Sequence, residues 1–293
     1  MKKKWLLLSQ YVAFLLLLPL AVFMACDLFS SRSATSLPYS GKRAYRHAAA
    51  LSYRTCTSPD GSSFAPSASY IRRHLVECGL KIAQIQCDGG RINHISGILP
   101  GASDHIIILA TSYNKAGEGR GSHEAFPAAA GVLLELARSS SVKKQGLTVW
   151  FTFLDGASDG GKGNKKALEF IRSLAAQDEL SRVKAFIYID PACQGVDGTF
   201  VEKDSTQWLS DSLRKSAGRL GCGSSLDSAP ISRKEVHALF IEKGIPALAL
   251  LDSGRIPGEV GPPDERMAAE KLHMLGRIIE NLVVTIDPAG RGR

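Results

Sequence analysis

The sequence predicts an α/β protein, a three-layer sandwich whose central sheet is mixed but mainly parallel. The all-apolar run of residues 106–110 is typical of a strand that is buried on both faces, as strands of parallel sheets are. Later strands alternate with helix-length segments, which indicates βαβ crossovers. Two earlier strands flank Asp88-Gly89-Gly90, a turn sequence that predicts a hairpin and thus antiparallel edge strands. We expect one domain without internal repeats.

The elements follow from apolar periodicity and from turn residues. A first helix is predicted from Lys42 to the turn sequence of residues 57–61, and a second from Pro66 to Gly79. The hairpin strands are predicted at 82–87 and 92–99. Four strand–helix pairs complete the domain: strands 105–112, 147–154, 183–190 and 245–251, with helices 126–138, 165–176, 205–217 and 266–284.

The amino terminus has the pattern of an export signal. Three lysines precede an apolar run from Trp5 to Ala25, as in secretory signals. Cys26 follows Phe23-Met24-Ala25, which resembles the lipobox of bacterial lipoproteins, where the cysteine is lipidated after cleavage; palmitate would be one of the attached lipids. The run is also long enough to span a bilayer, so an uncleaved anchor is the alternative.

These patterns predict a signal peptide at 1–25, a lipidated Cys26 with a serine-rich tether at 26–41, a domain at 42–286 and a tail at 287–293. The predicted location is the bacterial cell envelope, on the periplasmic or extracellular face of a membrane.

Charge and cysteine content exclude two classes of function. Loss of residues 1–25, which hold three lysines and no acid, would lower the formal charge from +8 to +5. The other basic residues are scattered pairs without interleaved aromatics, so no nucleic-acid partner is expected. Five cysteines follow Cys26 without C-x-x-C spacing, which argues against a thiolate metal site. Which of them form disulfides is open.

Several phrases, in the correct order, resemble the M28 family of zinc aminopeptidases, which includes glutaminyl-cyclase-like enzymes. The resemblance covers residues from about 58 to 284. The phrases are SPDGSS, NHISGILPG, GVLLELAR, FTFLDG and FIEKGIPALAL. The resemblance implies a zinc-aminopeptidase-like fold and a site with two zinc ions and a glutamate base.

Most of the residues that this chemistry requires are replaced. Of the metal ligands that the resemblance implies, only Asp190 of YIDPACQG is retained. The position of the catalytic base is Ala157. The replaced ligand positions are Ser112, Pro127, Ser158 and Val260. Asp264 matches a further position of the last motif, and His237 matches a histidine near the substrate that is not a ligand. One carboxylate alone binds zinc weakly, since a zinc site needs about three protein ligands.

Neighbouring loop residues offer a second interpretation. Glu124, Asp159 and Asp190, with His123 or His237, could form a displaced single-metal site. A shift of one residue in a glycine-rich loop is easily accommodated, but the ligands must also converge. Zinc would be the cofactor in this case, and none is expected otherwise.

A third interpretation is a serine hydrolase. Gly156-Ala157-Ser158-Asp159-Gly160 fits G-x-S-x-G, and Asp190 and His237 follow in the order of α/β-hydrolases. A nucleophile elbow requires a helix that starts at the serine. We expect the glycines at 160, 161 and 163 to delay the helix until about Asn164, which argues against an elbow.

The sequence as a whole predicts a membrane-tethered M28-peptidase-like protein that is catalytically inactive and has a binding or scaffolding role. The expected partners are the membrane, through the lipid anchor, and a peptide or protein ligand.

Overall fold

The computed structural model describes residues 37–56, 64–87, 92–114, 127–156, 160–190, 199–201, 204–222, 236–252 and 264–287. The helices in these ranges are α1 Gly41–Cys56, α2 Phe64–Glu77, α3 Ala128–Ser140, α4 Gly160–Ala176, α5 Gln207–Gly218, α6 Val236–Ile241 and α7 Glu265–Ile286. The strands are β1 Lys81–Cys87, β2 Ile92–Leu99, β3 Ile106–Asn114, β4 Thr148–Asp155, β5 Val183–Ile189, β6 Thr199–Val201 and β7 Ala247–Asp252. No helix within these ranges is long and apolar enough to cross a membrane.

The strands form one seven-stranded sheet in the order β1-β2-β4-β3-β5-β7-β6. Its centre, β4-β3-β5-β7, is parallel, and β1, β2 and β6 pair antiparallel at the two sides. The predicted mixed and mainly parallel sheet is therefore confirmed. The turn residues 88–91 of the hairpin lie outside the described residues, but its two strands pair as expected.

Helices cover both faces of the sheet, which confirms the predicted three layers. Strand β3 explains why both faces must be covered: Ile107 and Leu109 pack into the core beneath α1, α2, α3, α5 and α7. Ile106, Ile108 and Ala110 of the same strand pack beneath α4 and α6. Because successive side chains of a strand point to opposite faces, an all-apolar strand is stable only between two layers.

Two predicted details were wrong or incomplete. Helix α4 begins at Gly160, not near Asn164, so the glycines do not delay it. The short elements β6 and α6 were not predicted. Three and six residues are too few to produce a recognisable period.

Candidate functional site

The candidate site lies at the carboxyl ends of the parallel strands, where β3, β4 and β5 finish. In open α/β sheets this edge is the usual place for ligands. The register pairs Asn114 with Asp155, so the ends of β3 and β4 lie side by side. Asp190 follows β5 directly, and its backbone N–H donates to the carbonyl of Leu250 on β7. The four central strands thus end near one another.

Ser112, which the resemblance places at a ligand position, bonds to the neighbouring strand. Its side chain is buried, and its hydroxyl donates to the carbonyl oxygen of Leu154 at 3.2 Å. The neighbouring Thr111 hydroxyl donates to the Ile189 carbonyl at 2.8 Å. Both hydroxyls thus link β3 to an adjacent strand.

Pro127, a second replaced position, caps the amino end of α3. It is buried, and its carbonyl accepts from the N–H of Gly131 in the first turn of the helix. Proline suits a helix start because its missing N–H has no partner there anyway. It offers no side-chain atom that could bind a metal.

Asp155 at the end of β4 is fully buried and has a cationic neighbour. Its Oδ1 lies 3.6 Å from the Nζ of Lys166 on α4, a side chain that is 22% exposed. The backbone N–H of Asp155 donates to Nδ1 of His94 at 3.1 Å. The strand-end carboxylate is thus part of a polar cluster formed by β2, β4 and α4.

His94 links two of these elements through its two ring nitrogens. Nδ1 accepts from Asp155, so Nε2 carries the proton and donates to the backbone carbonyl of Lys166 at 3.0 Å. Burial is the main reason that the pKa of His94 falls to about 4; the hydrogen bond to the Lys166 carbonyl opposes this effect, and the charge of Lys166 adds to it. His94 is therefore neutral at pH 7.

Sequence reasoning missed this cluster. Its three residues, His94, Asp155 and Lys166, come from separate parts of the sequence that carry no shared motif. The one available signal was a histidine within the otherwise strand-like run INHISGIL. Nearby Tyr113 is also buried, and burial followed by the charge of Asp155 raises its pKa far above the usual range.

His237 lies in the first turn of α6 and is completely buried. Neither ring nitrogen has a hydrogen-bond partner among the groups that the structure places. Burial lowers its pKa to about 4, opposed by the charge of Asp204. A buried imidazole without partners is costly, which marks this position as unusual.

The other site residues that the sequence predicted lie outside the described residues, so the structure does not place them. They are Cys26, His123, Glu124, Ala157, Ser158, Asp159 and Val260. Asp264 is described. Its carboxylate accepts from the N–H of Met267, which makes it the amino-terminal cap of α7.

The described residues do not fit the two-zinc site that the resemblance implies. Within the described ranges, no group of three or more His, Cys, Asp or Glu side chains is placed to hold a metal ion. Ser112 is bonded to the sheet, Pro127 has no donor atom, and Asp155 already has an ammonium group beside it. Glu124 and Asp159, the ligands of the alternative single-metal site, lie outside the described residues.

Comparison with solved structures identifies the fold. No protein-family profile and no curated protein sequence matches the chain. A glutaminyl cyclase from an Acidobacteriales bacterium has a TM-score of 0.69 at 19% identity, over 87% of this chain and 97% of that one. A leucine aminopeptidase precursor from Bacteroides thetaiotaomicron has a TM-score of 0.69 at 17% identity, over 85% and 98%.

A zinc aminopeptidase from Bacillus subtilis is also similar, with a TM-score of 0.52 at 18% identity, over 66% of this chain and 49% of that one. At such identities the similarity establishes the fold and no more. The predicted aminopeptidase-like and glutaminyl-cyclase-like fold is confirmed.

Proposed function

We propose that this chain is a membrane-tethered, extracytoplasmic peptidase-like protein that binds a ligand at its strand-end site without cleaving it. The observation that carries the proposal is how the fold uses the residues at two of the replaced ligand positions. Ser112 is hydrogen-bonded inside the sheet, and Pro127 is the cap of a helix. The Ser112 hydroxyl donates within the sheet, and Pro127 has no side-chain atom that could bind a metal.

Within the described ranges no ligands converge on a metal position, which supports a role other than the chemistry of the similar enzymes. Metal-dependent hydrolysis requires an ion held by about three protein groups, which lowers the pKa of a bound water. The position of the general base is Ala157, which has no titratable group. Loss of the base and of most ligands together favours binding over catalysis.

His237 supports a binding role. A neutral imidazole can donate one hydrogen bond and accept another, and both capacities of His237 are unused within the described structure. Leaving such a group buried costs about 1–3 kcal/mol, which a ligand could offset by bonding to it. A peptide or an amino acid has amide groups of both kinds. We therefore propose a peptide-like ligand.

The proposal is tested with a panel of aminoacyl and amino-terminal glutaminyl peptides. We expect the full chain in detergent to leave every peptide intact, with or without added zinc, while some peptides raise its melting temperature. The His237→Gln variant should lose that stabilisation. Turnover of any peptide would refute the inactive assignment and favour a metal-dependent aminopeptidase or cyclase that uses Glu124, Asp159 and Asp190.

One observation favours a second candidate, a serine hydrolase that uses Ser158. Strand β4 ends at Asp155 and helix α4 begins at Gly160, so the helix starts two residues after Ser158, closer to the spacing of a nucleophile elbow than the sequence predicted. The state of His237 argues against it, since a triad histidine is held by a carboxylate at Nδ1. Covalent labelling by a fluorophosphonate that is lost in Ser158→Ala would establish this candidate, and absence of labelling would exclude it.

The membrane tether is tested separately. We expect lipidation at Cys26, so the Cys26→Ala variant should yield no processed form that partitions into detergent. Unchanged processing in this variant would indicate an ordinary signal peptide or an uncleaved anchor instead.

A further inference from the structure

Helix α1 follows closely on the point where the described part of the chain begins, and it is strongly basic. The described residues start at Leu37, and the helix starts at Gly41. Its sequence, GKRAYRHAAALSYRTC, has Lys42, Arg43 and Arg46 in the first two turns and contains no aspartate or glutamate. The helix dipole disfavours cations near the amino end of a helix. This distribution of charge is therefore unfavourable for the helix by itself.

The cations lie on an exposed face of α1. Lys42, Arg43 and Arg46 are exposed, and Tyr53, two turns after Arg46, is 72% exposed. Residues four and seven positions apart lie on the same side of a helix, so Lys42, Arg46 and Tyr53 share one surface. We call these four residues the basic face of α1. The opposite face is part of the core and consists of Ala44, Ala48 and Leu51.

The cations of the basic face also differ from most arginines of the other described helices, which pair with a carboxylate. Arg138, for example, lies 2.6 Å from Glu135. Within the described ranges, no carboxylate oxygen lies within 4.0 Å of a side-chain nitrogen of Lys42, Arg43 or Arg46. The positive charge of this face is thus available to an external partner.

Acids do lie near α1, on the side that faces α7. Burial and then the charges of Glu265 and Asp264, at the start of α7, raise the pKa of Tyr45. Tyr45 follows Gly41 by one turn, and a Cβ at Gly41 would meet the backbone of Ala269 on α7. These acids therefore lie beside the basic face but not within ion-pair distance of it.

The segment before α1 is fixed to the domain, so the basic face has a defined position close to where the chain enters. Tyr39 is buried, and the N–H of Ser40 donates to Oε1 of Glu135 at 3.0 Å. Arg138, which pairs with the same carboxylate, donates to the carbonyl of Pro38 at 2.8 Å. A tether attached at this point pulls on a segment that is bonded to α3.

We propose that the basic face of α1 docks on an anionic lipid surface, the headgroups of the membrane to which the chain is tethered. The inference rests on the proposed lipid anchor at Cys26, because only residues 27–36, ten in all, lie between Cys26 and Leu37. A chain of that length spans at most about 40 Å, which keeps α1 near the bilayer.

The physical chemistry of a membrane surface suits this face. Anionic headgroups attract lysine and arginine within about one Debye length of the surface. That attraction offsets the unfavourable placement of the cations in the first turns of α1. Tyrosine has an apolar ring and a polar hydroxyl, which suits the boundary between lipid and water, and Tyr53 provides one on the same face.

The test is light acetylation of lysines on the full chain after its insertion into vesicles, measured by mass spectrometry. Vesicles of phosphatidylcholine alone are compared with vesicles in which about a third of the lipid is phosphatidylglycerol. We expect acetylation of Lys42 to slow roughly threefold or more on the anionic vesicles, because the headgroups cover this face. Lys165 and Lys243, exposed on the side of α4 and α6, should react equally on both. About 0.5 M salt should remove the difference at Lys42.

Two double variants separate the basic face from net charge. Arg43→Gln with Arg46→Gln should abolish the protection of Lys42 on anionic vesicles. Lys165→Gln with Lys243→Gln removes the same charge from the other side of the sheet and should preserve that protection. Equal acetylation of wild-type Lys42 on both kinds of vesicle would overturn the inference, and so would equal protection in the two double variants.

Flotation with the neutral vesicles tests the tether separately. A full chain that does not float with them would refute the proposed lipid anchor. The acetylation of Lys42 in the presence of anionic vesicles still decides whether the basic face binds headgroups, so the two failures are distinguishable.

Discussion

At the scale of single residues, the polar chemistry of this protein lies in buried histidines that the sequence does not mark as buried. His94 is surrounded by strand residues and bonds through both nitrogens. His237 is equally buried and bonds to none of the described groups. The same side chain therefore stabilises the fold at one position and is a cost to it at the other.

Replacement of His94 should strongly destabilise the folded protein. In His94→Leu the N–H of Asp155 and the carbonyl of Lys166 lose their partner, and the expected loss is about 2–4 kcal/mol in the free energy of unfolding. Urea unfolding followed by circular dichroism measures it. His105→Leu is the matched control, because Nδ1 of His105 is buried without a partner in the described structure. Equal losses in both variants would contradict the assigned role.

His237→Leu should have the opposite effect on stability. The variant buries an apolar group where two nitrogens lacked partners, so the free energy of unfolding at pH 7 should stay equal or rise by up to about 1 kcal/mol. Stabilisation by the peptide ligand should disappear at the same time. A large loss of stability would mean that His237 has a structural partner.

The buried histidines also predict a pH dependence. Burial lowers the pKa from 6.5 to about 4 for His94 and His237, and to about 3 for His47. The unfolded chain therefore binds protons at a higher pH than the folded chain does. The contribution of these histidines to the free energy of unfolding is fully present above pH 6.5. It falls as the pH drops from 6.5 toward 4, by at most about 1.4 kcal/mol per pH unit for each histidine.

Urea midpoints at pH 7, 6 and 5 test this dependence, and His94→Leu and His237→Leu should each make the decline shallower. A midpoint that stays constant over this range would show that the three histidines titrate alike in the folded and unfolded protein.

At the scale of elements, glycines allow the helices on one face to pack closely. A Cβ at Gly131 of α3 would lie 2.2 Å from the carbonyl oxygen of Ala44 on α1. A Cβ at Gly276 of α7 would lie 2.0 Å from the ring of Tyr39, whose hydroxyl donates to the carbonyl of Leu272. The segment before α1 is thereby packed against α7.

Gly131→Ala should lower the free energy of unfolding by about 1–3 kcal/mol, because the methyl group meets backbone that cannot move aside. Gly218→Ala, at the end of α5, has open space around the added atom and should be neutral or stabilising by up to about 1 kcal/mol. Thermal unfolding of both variants measures the difference. Equal changes in the melting temperatures of the two variants would mean that α1 and α3 are not in close contact.

The start of α4 illustrates the limits of local sequence rules. Each of the three glycines in its first turns disfavours the helix by about 1 kcal/mol relative to alanine. The sequence therefore predicted that the helix begins after them. Tertiary contacts outweigh this cost, since Ala167, Phe170 and Leu174 are fully or almost fully buried and His94 bonds to the Lys166 carbonyl. By contrast, β3 was predictable, because an all-apolar strand is stable only when helices cover both faces of the sheet.

At the scale of the whole molecule, the fold does not determine which side chains lie at the ends of its strands. The core residues still specify an aminopeptidase-like sheet, and the sequence predicted this from apolar runs and their order. The strand-end cluster was not predictable, because β2, β4 and α4 approach one another only in three dimensions. The replaced ligand positions are a prediction from the sequence, whereas the ion pair of Asp155 and Lys166 is seen only in the structure.

The zinc content of the purified protein is the most direct test of whether this fold works without metals. The full chain in detergent is incubated with zinc, dialysed, and analysed for metal alongside an Asp190→Ala variant. We expect well under one zinc ion per chain in the wild-type protein and no difference between the two. One tightly held ion per chain that is lost in Asp190→Ala would contradict the central claim.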